Sequence, residues 1–369
     1  MNKNIKRKYT MKPYHDEEEN DFLGSTTTLK VVSSVAGLLL LGLIVFMVIK
    51  PDMFFRSEVA ETIQEQPASQ QPAPAPAVAT ETSLAEMWRP ADLNGLPEGP
   101  EKEQLAYGRE LIARTAKYLG PQGSVLQISN GMNCQNCHLD AGTKPFGNNY
   151  SLVASTYPKF RARSGTEEDI FKRVNDCMER SLNGKPLTKD SKEMQAMMAY
   201  INWVGKDVEK GEKPKGAGLM DIELLDRAAS PEKGKVVYVQ KCQVCHGKDG
   251  EGVKTEGSAE YQFPPLWGKN SYNDGAGLYR ISNFAKYAKA NMPLGATYEN
   301  PMLTGEEAWD VAAFVNSQPR PKKDLSKDWP DISGKPFDHP FGPFADTFDE
   351  KQHKYGPYQP IIEAKGGTK

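Results

Sequence analysis

The sequence predicts a mainly α-helical protein made of two tandem domains, with one N-terminal transmembrane helix and an extended C-terminal tail packed on the domains. Three observations support this prediction. The pattern Cys-x-x-Cys-His occurs twice, at residues 134–138 and 242–246. Segments with helical hydrophobic periodicity flank each copy. A single uncharged apolar run occupies residues 31–49.

The apolar run, VVSSVAGLLLLGLIVFMVI, is bracketed by Lys30 and Lys50. At 1.5 Å per residue it nearly spans a bilayer core of roughly 30 Å. A cleaved signal peptide is the alternative, but the run is too long and no small-residue cleavage site follows promptly. Basic residues are more frequent before the run than after it. We therefore expect a single-pass anchor in the cytoplasmic (inner) membrane, with residues 1–30 in the cytoplasm and the rest on the periplasmic side.

Composition divides the remaining chain into a linker, two domains and a tail. Residues 50–82 are rich in Pro and Ala, which is typical of an extended spacer. The first domain is predicted over residues 83–218 and the second over residues 219–318. Residues 319–369 are dense in Pro, Gly and aromatic residues, and such aromatic content predicts a tail packed on the domains rather than disorder.

Hydrophobic periodicity and capping signals predict the helices. In the first domain, helical patterns cover residues 101–119, 167–182 and 191–204. In the second domain, Ser230 is an N-cap followed by proline, and the helix that it begins leads into the second motif. Thr304 caps the closing helix.

Each Cys-x-x-Cys-His motif indicates a covalently bound haem c. The two thiols form thioethers with the haem vinyl groups, and the adjacent histidine ligates the iron. Helices around one haem indicate cytochrome c-type domains, and a net charge of −2 without a basic cluster excludes a nucleic-acid-binding protein. The attachment residues are Cys134 and Cys137 in the first domain and Cys242 and Cys245 in the second, with His138 and His246 as the proximal ligands.

The second haem also needs a distal ligand, and Met292, which precedes a proline, is the predicted one. A thioether at this position stabilises ferrous iron and suits electron transfer. Met302, Lys286 and Lys289 are alternatives. A tail histidine, His339 or His353, would ligate iron only if the tail caps a haem.

The fifth cysteine, Cys177, is the candidate distal ligand of the first haem. Outside the cytoplasm a free thiol is a liability, and no sixth cysteine exists to pair with it. Arg173 lies four residues earlier, on the same face of a helix, and cations lower the pKa of a thiol and bind oxyanions. The alternatives are an inert buried cysteine beside a solvated basic face, or ligation by the neighbouring Met178.

Several segments resemble dihaem thiosulfate dehydrogenases, some of which work as tetrathionate reductases. They are residues 173–184 (RVNDCMERSLNG), both haem motifs, residues 291–293 (NMP), and the tail elements at 328–330 (DWP) and 341–343 (FGP). The resemblance covers residues 101–362 and implies His/Cys ligation of the first haem by His138 and Cys177. It also implies an anion pocket formed by Arg163, Arg173, Ser181, Asn183 and Gly184.

For the second haem the resemblance implies His/Met ligation by His246 and Met292. In some relatives a lysine before that methionine exchanges with it as ligand, whereas this chain has Asn291. We therefore expect methionine ligation in both redox states. Asparagine at this position is also found in members that run toward tetrathionate reduction, so the direction of the reaction stays open.

The resulting hypothesis is a membrane-anchored oxidoreductase that joins two thiosulfate ions into tetrathionate, or performs the reverse reaction, with Cys177 as nucleophile. Electrons would pass through the second haem to an external carrier, either a small cytochrome c or a membrane redox protein. The main alternative is a tethered dihaem electron-transfer protein without sulfur chemistry. A sulfur-carrier-oxidising cytochrome is closely similar, and the few histidines outside the motifs disfavour a dihaem peroxidase.

Overall fold

The computed structural model describes residues 87–366, which belong to one compact unit, Pro76–Lys369. The predicted cytoplasmic segment, anchor and linker at residues 1–82 lie outside the described residues, as do residues 83–86 and 367–369. Within the described part, no helix is both long and apolar enough to cross a membrane.

The described chain is mainly helical, with two small antiparallel sheets. The helices are α1 (Pro100–Ala113), α2 (Thr115–Leu119), α3 (Leu139–Gly142), α4 (Val153–Thr156), α5 (Ile170–Arg180), α6 (Lys192–Val204), α7 (Pro231–Lys241), α8 (Gln243–His246), α9 (Ile281–Asn291), α10 (Gly305–Ser317), α11 (Glu350–Tyr355) and α12 (Gln359–Ala364). The strands are β1 (Lys159–Arg161), β2 (Thr166–Glu168), β3 (Val253–Lys254) and β4 (Tyr261–Phe263), paired β1–β2 and β3–β4. Each of the two predicted tandem domains has a large apolar core, and a third, smaller cluster contains Tyr272, Ala276 and Tyr279.

The first core forms where α1 crosses α6. Leu111, Met194 and Met197 are fully buried there. The predicted helix over residues 101–119 is broken at Arg114, which has φ −132° and ψ 47°. The break lets the Thr115 hydroxyl bond Cys134 of the first haem motif and the Ala116 N–H bond Asn133, just before the motif. The sequence pattern is helical on both sides of the break, but the helix is not continuous.

The predicted helix over residues 167–182 begins three residues late, at Ile170. Residues Thr166–Glu168 instead pair with Lys159–Arg161 in a two-stranded sheet. Asp169 caps the helix, because its carboxylate accepts a hydrogen bond from the Lys172 N–H at 2.8 Å. The helix that carries Cys177 therefore starts at a fixed point.

The second core forms where α7 crosses α10. A Cβ at Gly234 would lie 1.8 Å from the Asp310 carbonyl oxygen, so only glycine permits this approach. The predicted caps are present: the Ser230 side chain accepts from the Lys233 N–H, and Thr304 forms a capping box with Glu307. Helix α9, which precedes Met292, also packs on α10.

The tail contacts both domains. Ile361 and Tyr358 are buried in the second core, and the Trp329 N–H donates to the Arg163 carbonyl oxygen of the first domain at 2.6 Å. Two short helices, α11 and α12, interrupt the extended conformation that the Pro- and Gly-rich sequence predicts. The tail therefore joins the domains as well as covering them.

Candidate functional site: two cavities at the cysteine–histidine motifs

The first cavity, of about 180 Å³, lies between the first motif and helix α5. Cys134, Cys137 and His138 line it on the motif side. Arg173 and Cys177, which share one face of α5, line the other side. The fold therefore brings the predicted proximal histidine and the lone cysteine to one cavity.

Helix α2 and an asparagine turn hold the first motif in place. Cys134 begins a 3-10 helix, Cys134–Asn136, and its N–H donates to the Thr115 hydroxyl at 2.9 Å. The Asn133 side chain accepts from the Ala116 N–H at 2.8 Å. These bonds satisfy the backbone at the point where the chain must turn to present two thiols.

His138 has one ring nitrogen committed to the protein. Its Nδ1 lies 2.5 Å from the Asn148 carbonyl oxygen, to which it donates as N–H, and its ring packs on Tyr150 at 4.6 Å between centroids. This bond leaves Nε2 as the nitrogen available to ligate iron.

Cys177 differs chemically from the motif cysteines. Burial by itself raises the pKa of its thiol, but the Arg173 guanidinium and His138 outweigh that effect and lower the pKa to about 6. The Arg173 Nη1 donates to the Cys177 Sγ at 3.0 Å. By contrast, burial raises the pKa of Cys134 and of Cys137 to about 12. Near neutral pH, the thiolate in this cavity is therefore Cys177.

Only part of the predicted anion pocket lines this cavity. Arg173 and Ser181 do so, whereas Arg163 lines a smaller neighbouring pocket beside the tail. There the Arg163 guanidinium lies 6.0 Å from the Trp329 ring centroid. Burial, together with repulsion from Arg180 and Arg173, lowers the pKa of Arg163 to about 10. This cation is therefore close enough to act electrostatically on an anion at Arg173.

Asn183 and Gly184 have backbone and interdomain contacts instead. The side-chain oxygen of Asn183 accepts a hydrogen bond from the Asn273 Nδ2 of the second domain at 2.9 Å. A Cβ at Gly184 would lie 2.1 Å from the Ile128 carbonyl oxygen, so glycine is required for the chain crossing. The structure therefore places both residues at contacts with other parts of the chain and not in the lining of the first cavity.

Met178, the alternative distal ligand, also lines the first cavity. It is 1% exposed and belongs to the first apolar core, with Val174 and Leu182. Its surroundings are those of a packing residue.

The second cavity, of about 350 Å³, is formed by the second motif and helices α9 and α10. Cys242, Cys245, His246 and Met292 all line it. The His246 Nδ1 donates to the Pro264 carbonyl oxygen at 2.8 Å, which leaves Nε2 free to ligate iron. Burial lowers the pKa of His246, so the neutral ligand form is favoured.

The alternatives to Met292 lie elsewhere. Met302 is 46% exposed and does not line the cavity. The ammonium group of Lys286 pairs with Asp221 at 2.6 Å, and that of Lys289 donates to the Leu303 carbonyl oxygen. Of these four candidates, only Met292 lines the second cavity.

Helix α9 ties the two cavities together. The Tyr287 hydroxyl donates to the Asn136 carbonyl oxygen within the first motif at 2.8 Å, and the Asn291 side chain donates to the Phe146 carbonyl oxygen at 3.1 Å. Cys137 lines both cavities. A group in the second cavity would therefore lie against the first motif.

The tail histidines take part in tail contacts. His339 accepts from the Trp329 indole N–H at 2.9 Å, and its Nδ1 faces the Phe341 carbonyl oxygen at 3.1 Å. His353 is stacked on Phe344 and bonded to Asp346 at 2.9 Å. Neither histidine lines a haem-motif cavity.

Both cavities suit a haem c. Each presents two cysteines and a histidine whose Nδ1 is already bonded, within a largely apolar lining. Each also presents a sulfur atom from another helix or its end, Cys177 in the first and Met292 in the second. This donor set matches covalent attachment with two axial ligands.

Comparisons with known proteins identify two cytochrome c domains. A family model described as SoxA/TsdA, cytochrome c domain, matches residues 126–209, and one described as cytochrome c matches residues 231–319. A thiosulfate dehydrogenase of Stutzerimonas stutzeri is 36% identical over 239 residues, which is 64% of this chain and 73% of the relative. A thiosulfate dehydrogenase of Allochromatium vinosum is 36% identical over 230 residues, which is 61% of this chain and 82% of the relative.

A solved structure has a similar fold. The thiosulfate dehydrogenase (TsdBA) of Marichromatium purpuratum, in its as-isolated form, superimposes with a TM-score of 0.58 at 30% identity. The matched region is 64% of this chain and 50% of that chain.

Proposed function

Since the chain belongs to the thiosulfate dehydrogenase family and is an oxidoreductase that acts on thiosulfate, we propose that it joins two thiosulfate ions into tetrathionate at Cys177. Two haem c groups are covalently bound, one in each cytochrome c domain. Each haem, when bound, supplies a one-electron acceptor and donor. His138 and Cys177 would hold the first iron, and His246 and Met292 the second.

In the proposed reaction, Cys177 is the nucleophile. Its thiolate forms a sulfur–sulfur bond with the sulfane sulfur of thiosulfate, giving Cys–S–S–SO₃⁻ and releasing two electrons. A second thiosulfate then attacks the sulfane sulfur of this adduct. Tetrathionate leaves and the Cys177 thiolate is restored, so the net change is two thiosulfates to one tetrathionate plus two electrons. The reverse sequence reduces tetrathionate.

Charge is the main obstacle that the side chains must offset. Thiosulfate is a dianion, and a thiolate and two thiosulfates repel one another at close range. Arg173 lies against the sulfur, and Arg163 adds a second positive charge nearby. The Ser181 hydroxyl, in the same cavity, can donate a hydrogen bond to a sulfonate oxygen. These groups offset the repulsion between the Cys177 thiolate and the thiosulfate dianions as they come together.

The observation that carries the proposal is the 3.0 Å contact between the Arg173 guanidinium and the Cys177 sulfur. A haem that served only electron transfer would need no cation at its distal ligand. A buried thiolate beside a guanidinium is instead the arrangement of an activated nucleophile.

The two released electrons would leave through the adjoining second cavity to an external one-electron carrier, a small cytochrome c or a membrane redox protein. The apolar run at residues 31–49 would anchor the enzyme in the inner membrane with both haem domains in the periplasm. Recovery of the full-length protein in the soluble fraction would contradict the anchor without affecting the chemistry.

The test compares Cys177→Met with Met178→Leu. Cys177→Met supplies a new sulfur ligand, so we expect both haems to stay bound and thiosulfate-dependent reduction of ferricyanide to fall at least 100-fold. Met178→Leu conserves volume in the core and should retain turnover, at a stability cost under about 1.5 kcal/mol.

Low-temperature electron spin resonance provides a second measurement. The wild-type protein and Met178→Leu should both show a thiolate-ligated low-spin haem, and Cys177→Met should not. Undiminished turnover in Cys177→Met would refute the proposed role of Cys177. Absence of turnover in either direction in the wild-type protein would indicate a pure electron-transfer cytochrome.

A further inference from the structure

Arg320 is a buried cation just after helix α10, and its side chain lies between two tyrosine rings. Its guanidinium carbon is 4.4 Å from the Tyr272 ring centroid and 5.1 Å from that of Tyr279. Its Nη2 donates to the Val315 carbonyl oxygen at 2.6 Å, and its Nη1 donates to the Leu266 carbonyl oxygen at 3.3 Å. Arg320 is only 8% exposed.

The partners of Arg320 are all formally neutral. Among residues 87–366 no carboxylate forms an ion pair with it, and its Nε has no hydrogen-bond partner. Arginine remains protonated at any physiological pH, so the charge is permanent. Arginines are seldom buried without an anion, because removing the guanidinium from water costs free energy and contacts with tyrosine rings offset only part of that cost.

The surroundings of Arg320 connect it to the second cavity. Val315, Leu266 and Tyr272, three of its four contacts, all line the cavity that contains His246 and Met292. The guanidinium itself does not line the cavity. It therefore sits one layer of residues behind the cavity wall.

We propose that the fixed positive charge of Arg320 raises the reduction potential of the second haem. Reduction adds one negative charge to the haem, and a nearby cation favours that state. At roughly 10 Å and an effective dielectric constant of about 20, one unit charge changes such an equilibrium by about tenfold. A high potential here would draw electrons away from the Cys177 cavity.

The proposal relies on the proposed ligation of the second haem but not on the sulfur chemistry. The experiment is therefore an equilibrium redox titration of the full chain with both haems bound and no thiosulfate present. The far-red absorption band of a methionine-ligated ferric haem reports the second haem separately from the first. Failure of thiosulfate turnover would leave this measurement unaffected.

For Arg320→Gln, we expect the reduced-to-oxidised ratio of the second haem at a fixed ambient potential to fall about tenfold, which is a 59 mV decrease for a one-electron couple. Arg320→Lys keeps the charge and should change the ratio less than threefold. Lys322→Gln removes the same formal charge two residues along, but that side chain is 75% exposed, so no shift is expected.

Two results would overturn the proposal. One is an unchanged second-haem potential in Arg320→Gln, which would make Arg320 a packing residue. The other is an equal shift in Lys322→Gln, which would make the effect one of net charge. If Arg320→Gln fails to fold, Arg320→Lys is the remaining test. A tenfold fall in the reduced-to-oxidised ratio of the second haem in this variant, which keeps the charge, contradicts the electrostatic role.

Discussion

The three cysteines that line the first cavity have different chemistry because of their neighbours. Burial raises the pKa values of Cys134 and Cys137 to about 12, and the negative charge of Cys177 contributes to both shifts. Cys177 is equally enclosed, but Arg173 lies 3.0 Å from its sulfur. The Arg173 guanidinium, together with His138, therefore lowers the pKa of this one thiol, which we propose as the nucleophile.

Replacing that guanidinium should impair catalysis while preserving the haems. A hydrogen bond to a charged group is worth roughly 1.5–3 kcal/mol, so Arg173→Gln is expected to lower kcat/KM for thiosulfate about 10- to 100-fold. Arg173→Lys keeps the charge and should recover part of the loss. Steady-state kinetics with haem content measured on the same samples tests this, and an unchanged kcat/KM in Arg173→Gln would contradict it.

The sequence predicted which side chains meet at the first cavity better than it predicted the backbone groups that orient them. Counting cysteines isolated Cys177, and helical spacing placed Arg173 beside it. The carbonyl groups of Asn148 and Pro264, which orient the two histidines, carry no side-chain signal and were not predicted. Asn183 and Gly184 were assigned from resemblance alone, and their contacts are with other parts of the chain.

Helix α5 is held at its C-terminal end by the tail. Arg180 makes a two-pronged ion pair with Asp328 at 2.7 and 2.8 Å, and both side chains are largely buried. A second pair, Lys323 with Glu179, links the same helix and tail at 3.1 Å but is more exposed. Cys177 lies less than one turn before this clamp.

The two pairs should differ in strength. Asp328→Asn leaves the Arg180 charge buried without a partner, and a loss of about 3–5 kcal/mol in the free energy of unfolding is expected. Lys323→Ala removes the exposed pair and should cost no more than about 1 kcal/mol. Chemical denaturation of both variants tests this contrast. Equal losses would mean that burial of the Arg180 pair is unimportant.

The tail also contains a group that responds to acid. Burial, with smaller effects from Lys335, Arg280 and Arg163, lowers the pKa of His339 to about 4. The ordinary pKa is 6.5, so the unfolded chain takes up the proton first as the pH falls. The stabilisation is complete above pH 6.5 and is lost progressively between 6.5 and 4, for a total of up to about 3 kcal/mol.

His339→Gln should therefore flatten this pH dependence. We expect the difference in the free energy of unfolding between pH 7 and pH 5 to be smaller in the variant than in the wild-type protein. Denaturant titrations at both pH values measure it. An identical difference in the two proteins would show that His339 does not titrate in this range.

The sequence predicted helix starts well where the signal was a capping residue next to the helix. Ser230 and Thr304 mark helix starts that the structure reproduces. The break at Arg114 was missed because the residues that follow it bond distant parts of the chain: Thr115 bonds Cys134 and Ala116 bonds Asn133. The clamp between Arg180 and Asp328 was missed for the same reason.

For the whole molecule, the repeated motif predicted two tandem domains. It did not predict how the two domains contact each other. Asn291 seemed notable only as a substitution for lysine, yet its side chain reaches the Phe146 carbonyl oxygen of the other domain. Tyr287 makes a similar contact to Asn136. These bonds place the two haem cavities against each other, which is the geometry that sequential one-electron steps require.

Peptide mass spectrometry of enzyme quenched during turnover with limiting thiosulfate and excess electron acceptor tests the role of Cys177 most directly. We expect a thiosulfate-derived Cys–S–S–SO₃⁻ adduct on the peptide that contains Cys177, and its loss when excess thiosulfate is then supplied without acceptor. Continued tetrathionate formation with Cys177 unmodified throughout would contradict it.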